Sequence, residues 1–383
     1  MPIDSSQPML DLNEAGTASG RAGGRRRTIT AKRLLCAARY GELGASSRLR
    51  LMQYMPWLNR AGIHTTMRAF LSNHYVTALY ADTSRAGAVA AAYLRALGAA
   101  RASRRHDLLW IEKEYLPWLP YWLERLAIGR TRYVLDFDDA WALRYETSRF
   151  WLVRRIFGNK FRRLVQGAAL TITANQTLHE WAVAQGASRV LLLPTVIDLD
   201  SYPVTAPPDG PFTLCWIGTP LTALYLNEIA GALQQLSAEA PFELMIIGAP
   251  DFSIPGVTCR HEAWSEASEA GLVAACHGGI MPLPDDAWAR GKSGYKLIQY
   301  MAAARPTIAS PVGANNDIVT SGETGYLAGD NASWLQAMRQ LRDDPALRAR
   351  MGAAARQRVE TKYALQVTAP LLIRQFQDLF ERA

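Results

Sequence analysis

Residues 290–313 place a two-glycine loop, an apolar helical run and a short strand in immediate succession: Arg290-Gly-Lys-Ser-Gly-Tyr-Lys-Leu-Ile-Gln-Tyr-Met-Ala-Ala-Ala-Arg-Pro-Thr-Ile-Ala-Ser-Pro-Val-Gly313. Leu297, Ile298 and Met301 supply the apolar side of the helix, Arg305-Pro306 ends it, and Thr307–Ser310 reads as a buried strand. A loop that opens a helix leaves unpaired backbone N–H groups and the positive end of a dipole pointing outward. That suits an anion such as a diphosphate. Lys292 and Lys296 sit at that mouth, in a chain that otherwise writes its positive charge almost wholly with arginine. A helix cap with two solvated lysines would satisfy the same pattern.

The strand, glycine loop and helix recur. Arg33–Ala38 reads as a first buried strand, followed by Tyr40-Gly-Glu-Leu-Gly-Ala-Ser-Ser-Arg-Leu-Arg50 entering a helix that ends at Gly62. Short apolar runs at Asp107–Glu112, Tyr133–Leu135, Ala169–Thr173 and Val190–Leu193 continue the series. Pro203–Pro211 then breaks it with a proline-rich stretch that lacks apolar periodicity. A second series follows at once: Thr213–Ile217 into Gly218, Phe242–Ile247 into Gly248, Gly279–Leu283, and Gly322–Leu327. Such alternation predicts two tandem parallel α/β sheets with a cleft between them, and open sheets of this kind bind ligands beyond their strands' carboxyl ends. The last helices fall at Trp334–Leu341, Pro345–Val359 and Leu371–Phe380.

Other features narrow the partners. The net charge of +8 favours anionic ones, such as nucleotide phosphates or anionic lipid. Nucleic acid is disfavoured, because the positive charge is dispersed and the aromatic residues cluster with Pro and Leu rather than alternating with basic ones. Cys36, Cys215, Cys259 and Cys276 form no CxxC pair, which fits a reducing compartment and neither a zinc site nor a disulfide framework. No apolar run reaches transmembrane length, and residues 1–27 read as a disordered basic tail. Phe150–Val165 is apolar and basic at once. As one helix it would set Leu152, Val153, Ile156, Phe157, Phe161 and Leu164 on one half, with Lys160 and Arg163 intruding on them. It would lie either on an anionic membrane surface or on its own sheet. Asp136, Asp138 and Asp139 at a strand end fit a divalent-metal site, a base with its orienting group, or an Asx turn with a helix cap.

Ile217-Gly218, Met281–Leu283, Lys296–Ala302, Pro306–Gly313 and Gly322–Gly325 resemble, in order and spacing, the family-4 retaining glycosyltransferases of the GT-B fold. Gly44–Arg50, Asp136–Ala140 and Thr195–Asp198 resemble a bacterial branch of that family. The resemblance covers roughly residues 33–365. It implies an N-terminal acceptor-side Rossmann-like domain over 28–204 and a C-terminal nucleotide-sugar-binding one over 205–365. A helix over 366–383 then crosses back to the first domain. It also implies metal-independent transfer from a nucleotide sugar, with no cofactor, to a saccharide or lipid-linked acceptor, as in bacterial surface-polysaccharide assembly. The place would be the cytoplasm or the inner face of its membrane. The residues expected at the donor diphosphate are Gly218, Thr219, Lys292, Gly294, Tyr295 and Lys296, with Gln299 at the ribose. Asp138 or Asp139 would orient the acceptor hydroxyl, Arg48 would act in catalysis, and Gly44, Ser47 and Glu112 would meet the sugars. The chain departs from the family where its two glutamates would stand, at Gly291 and Gln299, and at Gly279. A non-catalytic binding protein that keeps the donor pocket is the alternative these departures raise.

Overall fold

The computed structural model describes residues 32–80, 83–96 and 98–382. The expected basic tail over 1–27 lies outside them. Two six-stranded sheets, parallel throughout, carry the chain. The first holds β1 (Lys32–Tyr40), β2 (Ile63–Leu71), β3 (Leu108–Glu112), β4 (Arg132–Phe137), β5 (Leu170–Thr173) and β6 (Val190–Leu192), in the order β2-β1-β3-β4-β5-β6. The second holds β7 (Thr213–Ile217), β8 (Glu243–Ile247), β9 (Cys259–Glu262), β10 (Gly278–Met281), β11 (Thr307–Ala309) and β12 (Gly325–Leu327), in the order β12-β11-β10-β7-β8-β9. Strand order reverses beside β1 and again beside β7. Loops leaving such switch points part to opposite faces and open a crevice at the carboxyl ends. Both reversals fall where the glycine loops begin.

Helices cover both faces of each sheet, so the central strands are apolar on both sides. The final helix, Leu365–Glu381, belongs to the first sheet rather than to the second, which precedes it. Leu365, Ala369, Leu372, Phe376 and Leu379 recur at helical spacing and bury against Leu34, Cys36, Trp110 and Val134. The Phe376 ring lies 5.1 Å from that of Trp110, and Thr368 Oγ1 is 2.9 Å from the Tyr54 hydroxyl. Each large apolar side chain buried here contributes about 1.5–3 kcal/mol, so the return crossing is an integral part of the first core.

Phe150–Val165 is not one helix. It is two, Trp151–Phe157 and Lys160–Gly167, parted at Gly158-Asn159. The break turns Lys160 inward, where its Nζ lies 2.6 Å from Glu114 and 2.7 Å from Glu124. Lys160, an intruder on the apolar half of a single helix, is here the centre of a buried ionic cluster. The helix before the break buries none of its residues. Among the described residues no helix is long and apolar enough to cross a membrane.

Candidate active site

On the second sheet, the chain leaves β7 at Gly218 and meets the loop before helix Tyr295–Ala302. Gly294 caps that helix with φ +70°. The N–H groups of Ser293, Gly294, Tyr295 and Lys296 have no acceptor among the described residues, and the first to find one is Leu297, bonded to Gly294 O. Lys296 Nζ sits 4.8 Å from the centroid of Trp216, over Gly218, where a Cβ would lie 2.5 Å from it. Lys292 Nζ is 5.8 Å from the rings of Tyr225 and Trp288. Neither ammonium pairs with a carboxylate among the described residues. Burial, reinforced by Lys292, pulls Lys296 down to about 7. Two lysine amines without a carboxylate partner and four free N–H groups thus gather at one loop.

The other expected diphosphate contacts differ. Gly218 N donates to Ile247 O at 3.0 Å, and Thr219 N donates to Thr222 Oγ1 at 3.2 Å within a capping box. Both amides are already occupied, so these two residues shape the floor and do not offer N–H donors. Gln299 is buried, and its Nε2 is directed at the Tyr202 hydroxyl, 3.5 Å away. That hydroxyl donates to Glu269 Oε1 at 2.5 Å, while Trp264 Nε1 donates to Glu269 Oε2 at 2.7 Å. Sequence reasoning missed Tyr202, Trp264 and Glu269, which sit in three different segments without a shared pattern.

On the first sheet, Glu112 ends β3 fully buried. It accepts from Ser46 Oγ and Ser47 Oγ, each at 2.5 Å, from Arg39 N at 2.9 Å and from Lys113 Nζ at 3.2 Å. Ser47 has no exposed surface, and Gly44 packs on Tyr40. Gly44, Ser47 and Glu112 therefore fasten the glycine loop to the sheet; they are not placed to touch a sugar. Arg50 is buried and pairs with Asp136 at 2.8 Å, with Trp110 Nε1 also donating to that carboxylate. Asp136 is thereby removed from the cleft. Arg48 reaches the second sheet, its Nε 3.6 Å from Glu266 and its guanidinium 5.2 Å from the Trp264 ring.

Asp138 and Asp139 follow β4. Asp138 lies 3.1 Å from Lys113, whose backbone is held at φ +64°. Burial and the charge of Asp138 push Asp139 up to about 6, against the pull of Lys292, Lys113 and Arg144. The pull of Lys292 comes from the other sheet, because the two loops are in contact. Asn175 Nδ2 donates to Lys292 O at 2.9 Å, and the rings of Trp141 and Trp288 stand 6.2 Å apart. A Cβ on Gly291 would lie 2.5 Å from Ala140 Cβ and 2.9 Å from Ala140 N. The missing side chain at 291 is what lets the two loops close.

Beside these carboxylates opens a cavity of about 350 Å³ lined by Arg39, Trp118, Trp141, Arg144, Tyr145 and Val153. Trp141 lies between the guanidinium groups of Arg39 and Arg144, each 4.2 Å from its centroid. Glu114 supports the floor through Arg39 at 2.8 Å and Lys160 at 2.6 Å. Stacked aromatic and guanidinium faces with converging donors are suited to polyhydroxylated or anionic ligands.

Residues 223–344, all in the second half, match the family described as glycosyl transferases, group 1. A stretch of 69 residues is 41% identical to D-inositol 3-phosphate glycosyltransferase of Streptomyces avermitilis, covering 18% of this chain and 15% of that protein. The whole architecture is similar to that of solved structures. Sucrose-phosphate synthase from Thermosynechococcus elongatus superposes with a TM-score of 0.63 at 15% identity, over 92% of this chain and 99% of that one. Anabaena HepE, solved in complex with UDP-glucose, gives 0.62 at 13% over 92% and 100%. A glycosyltransferase from Rickettsia africae gives 0.66 at 12% over the same shares. Residues 223–344 thus match the group 1 glycosyl transferases, and the two-sheet fold of the whole chain is GT-B-like, similar to that of these solved structures.

Proposed function

We propose that the protein transfers a sugar, with retention, from a nucleoside diphosphate sugar to a saccharide or lipid-linked acceptor. The observation that carries this reading is the pair of lysine amines, Lys292 and Lys296, without a carboxylate partner among the described residues, at a helix mouth with four free N–H groups, beside Asp138 and Asp139 across a closed cleft. As the bond from the sugar carbon to the diphosphate oxygen breaks, negative charge grows on the leaving group. Preorganised donors stabilise that charge more than they stabilise the substrate. The sugar carbon becomes oxocarbenium-like. The acceptor oxygen bonds to it from the face the diphosphate leaves, and a diphosphate oxygen takes the acceptor's proton. Asp139 orients the acceptor hydroxyl, and Lys113 holds Asp138 beside it. UDP is the first nucleotide to try, since HepE was solved with UDP-glucose.

An acceptor at a membrane surface fits the first domain's outer face. Trp122, Leu126, Phe150, Trp151, Leu152 and Ile156 are exposed there, with Arg149, Arg154 and Arg155 exposed among them. Apolar wedges among arginines suit the interface of an anionic bilayer. The protein would then work peripherally at the cytoplasmic face, in the assembly of a surface glycoconjugate.

The test is thermal stabilisation by a panel of nucleoside diphosphates and nucleotide sugars, wild type beside Lys296→Ala. A shift with one nucleotide that the variant lacks supports the donor site and names its base. No shift with any of them removes it. The neutral Gln299 and the crowded Gly291 favour one rival, a binding protein without turnover. Donor binding without nucleotide release over a broad acceptor screen would establish that rival.

A further inference from the structure

We infer that Glu269, contributed by a separate helix, is the carboxylate that recognises the donor's ribose hydroxyls. The inference rests on the donor site proposed above. Glu269 lies on helix Glu266–Ala274 and is half-buried. The Tyr202 hydroxyl holds one of its oxygens at 2.5 Å and Trp264 Nε1 holds the other at 2.7 Å. A carboxylate has about four acceptor positions, so each oxygen keeps one for a further donor. Two such positions on one rigid group match a vicinal diol. The place is right as well: helix Glu266–Ala274 packs against helix Tyr295–Ala302, whose mouth would hold the diphosphate.

Gln299 completes the argument through the direction of its hydrogen bonds. The Tyr202 hydroxyl has one proton, and that proton goes to Glu269. Its oxygen can then only accept, and the Gln299 amide supplies an N–H toward it. Burial and the Glu269 charge raise the Tyr202 pKa far above its ordinary value, so the hydroxyl stays a donor. A glutamate at 299 would set two carboxylates around one phenol that can serve only one of them, with like charges close together in a half-dry site. The neutral residue at 299 and the acid at 269 are one arrangement. The negative charge has moved from one helix to its neighbour.

The experiment measures affinity by titration calorimetry for wild type, Glu269→Gln, Glu269→Asp, Gln299→Glu and the exchange Glu269→Gln with Gln299→Glu. The ligand is whichever of ADP, CDP, GDP and UDP stabilises the wild type most, set against its 2′-deoxy and 3′-deoxy analogues. A charge-assisted hydrogen bond predicts that the wild type prefers the ribonucleotide, and that Glu269→Gln loses about 10- to 100-fold in affinity for it. Affinity for the deoxy analogues should change little, so the preference collapses toward one. Gln299→Glu alone should weaken binding, and the exchange should recover part of the loss. Glu269→Asp keeps the charge but retracts it by a methylene, and it should also lose the preference. It serves where Glu269→Gln does not fold. Equal losses for ribose and deoxyribose ligands, or an intact preference in either variant, would overturn the inference and leave Glu269 as a prop for Tyr202. If no nucleoside diphosphate binds the wild type, the donor site itself fails, which is a different result.

Discussion

Nucleotide binding should draw a proton onto Lys296, and the pH dependence that follows can be worked out. In the free protein burial and Lys292 hold this amine near 7. A bound diphosphate brings opposite charge against it and restores the ammonium, so the bound-state value lies higher. Binding therefore favours the protonated form. Affinity should be nearly flat below pH 7 and fall about tenfold per unit above it, about 1.4 kcal/mol per unit, until the bound-state value is reached. Calorimetry with a nucleotide sugar in two buffers of different ionisation enthalpy should count about half a proton taken up at pH 7 and about 0.9 at pH 8. The stability of the free protein runs the other way. A lysine whose folded value is depressed destabilises the native state at low pH. That cost is relieved as pH rises from about 7 toward the ordinary lysine value near 10.4. Lys292→Ala removes one of the causes of the depression, so the fall in affinity should start at a higher pH. Affinity unchanged between pH 7 and 8.5, with no proton uptake, would refute the placement of Lys296 at the phosphates.

Three further outcomes follow from contacts around the same cleft. Turnover, read as nucleotide release in the presence of acceptor, should show an acid limb near pH 6 as Asp139 protonates. Asp139→Asn should abolish both the limb and most of the rate while leaving donor affinity within a few-fold, and an unchanged rate would sink the assignment. Gly291→Ala sets a methyl 2.5 Å from Ala140 Cβ and holds the loops apart. Overpacking of this kind costs about 1–3 kcal/mol, so nucleotide release should drop tenfold or more with donor affinity retained. A full rate would mean that the closed contact is not used. Lys160→Met leaves Glu114 and Glu124 buried without their shared cation, which should cost about 3–5 kcal/mol in urea unfolding. A loss under about 1 kcal/mol would show that the cluster does not hold the floor of the aromatic cavity.

The central strands were legible because strands covered on both faces must be continuously apolar, as Thr213–Ile217 and Leu108–Glu112 are. The two strands that escaped, β2 and β9, both lie at sheet edges. β2 mixes His64, Thr65, Thr66 and Arg68 among its apolar residues, and β9 is Cys-Arg-His-Glu. With one side open to water, neither had to write itself in apolar residues. The site divides in the same way. Lysines at a glycine loop are a local pattern, and local patterns survive in sequence. Ser47 with Glu112 and Arg50 with Asp136 are pairs 65 and 86 residues apart. No spacing rule reaches across such gaps, and a serine or arginine in a first helical turn looks alike whether solvated or buried. The final helix was legible in type from Leu371–Phe380 and, through the resemblance, nearly in extent; its first turn buries Leu365 and Ala369 in the first core although Gln366 and Thr368 interrupt the apolar run.

The three departures from the family pattern acquire one explanation when each residue is set beside its neighbour. Gly279 lacks a side chain where the Tyr300 ring lies, and that ring's hydroxyl takes the Ile217 N–H at 3.1 Å and donates to Ile280 O at 3.3 Å, tying β7 to β10. Gly291 lacks one where Ala140 closes the cleft. Gln299 lacks a charge where the hydrogen bond of Tyr202 is already directed to Glu269. In each case a residue distant in sequence occupies the space or role that the pattern position would fill. Adding a side chain at either glycine should therefore damage the site: Gly279→Ala would strike the Tyr300 ring, as Gly291→Ala strikes Ala140. In all three places the present residue is fitted to its present partner.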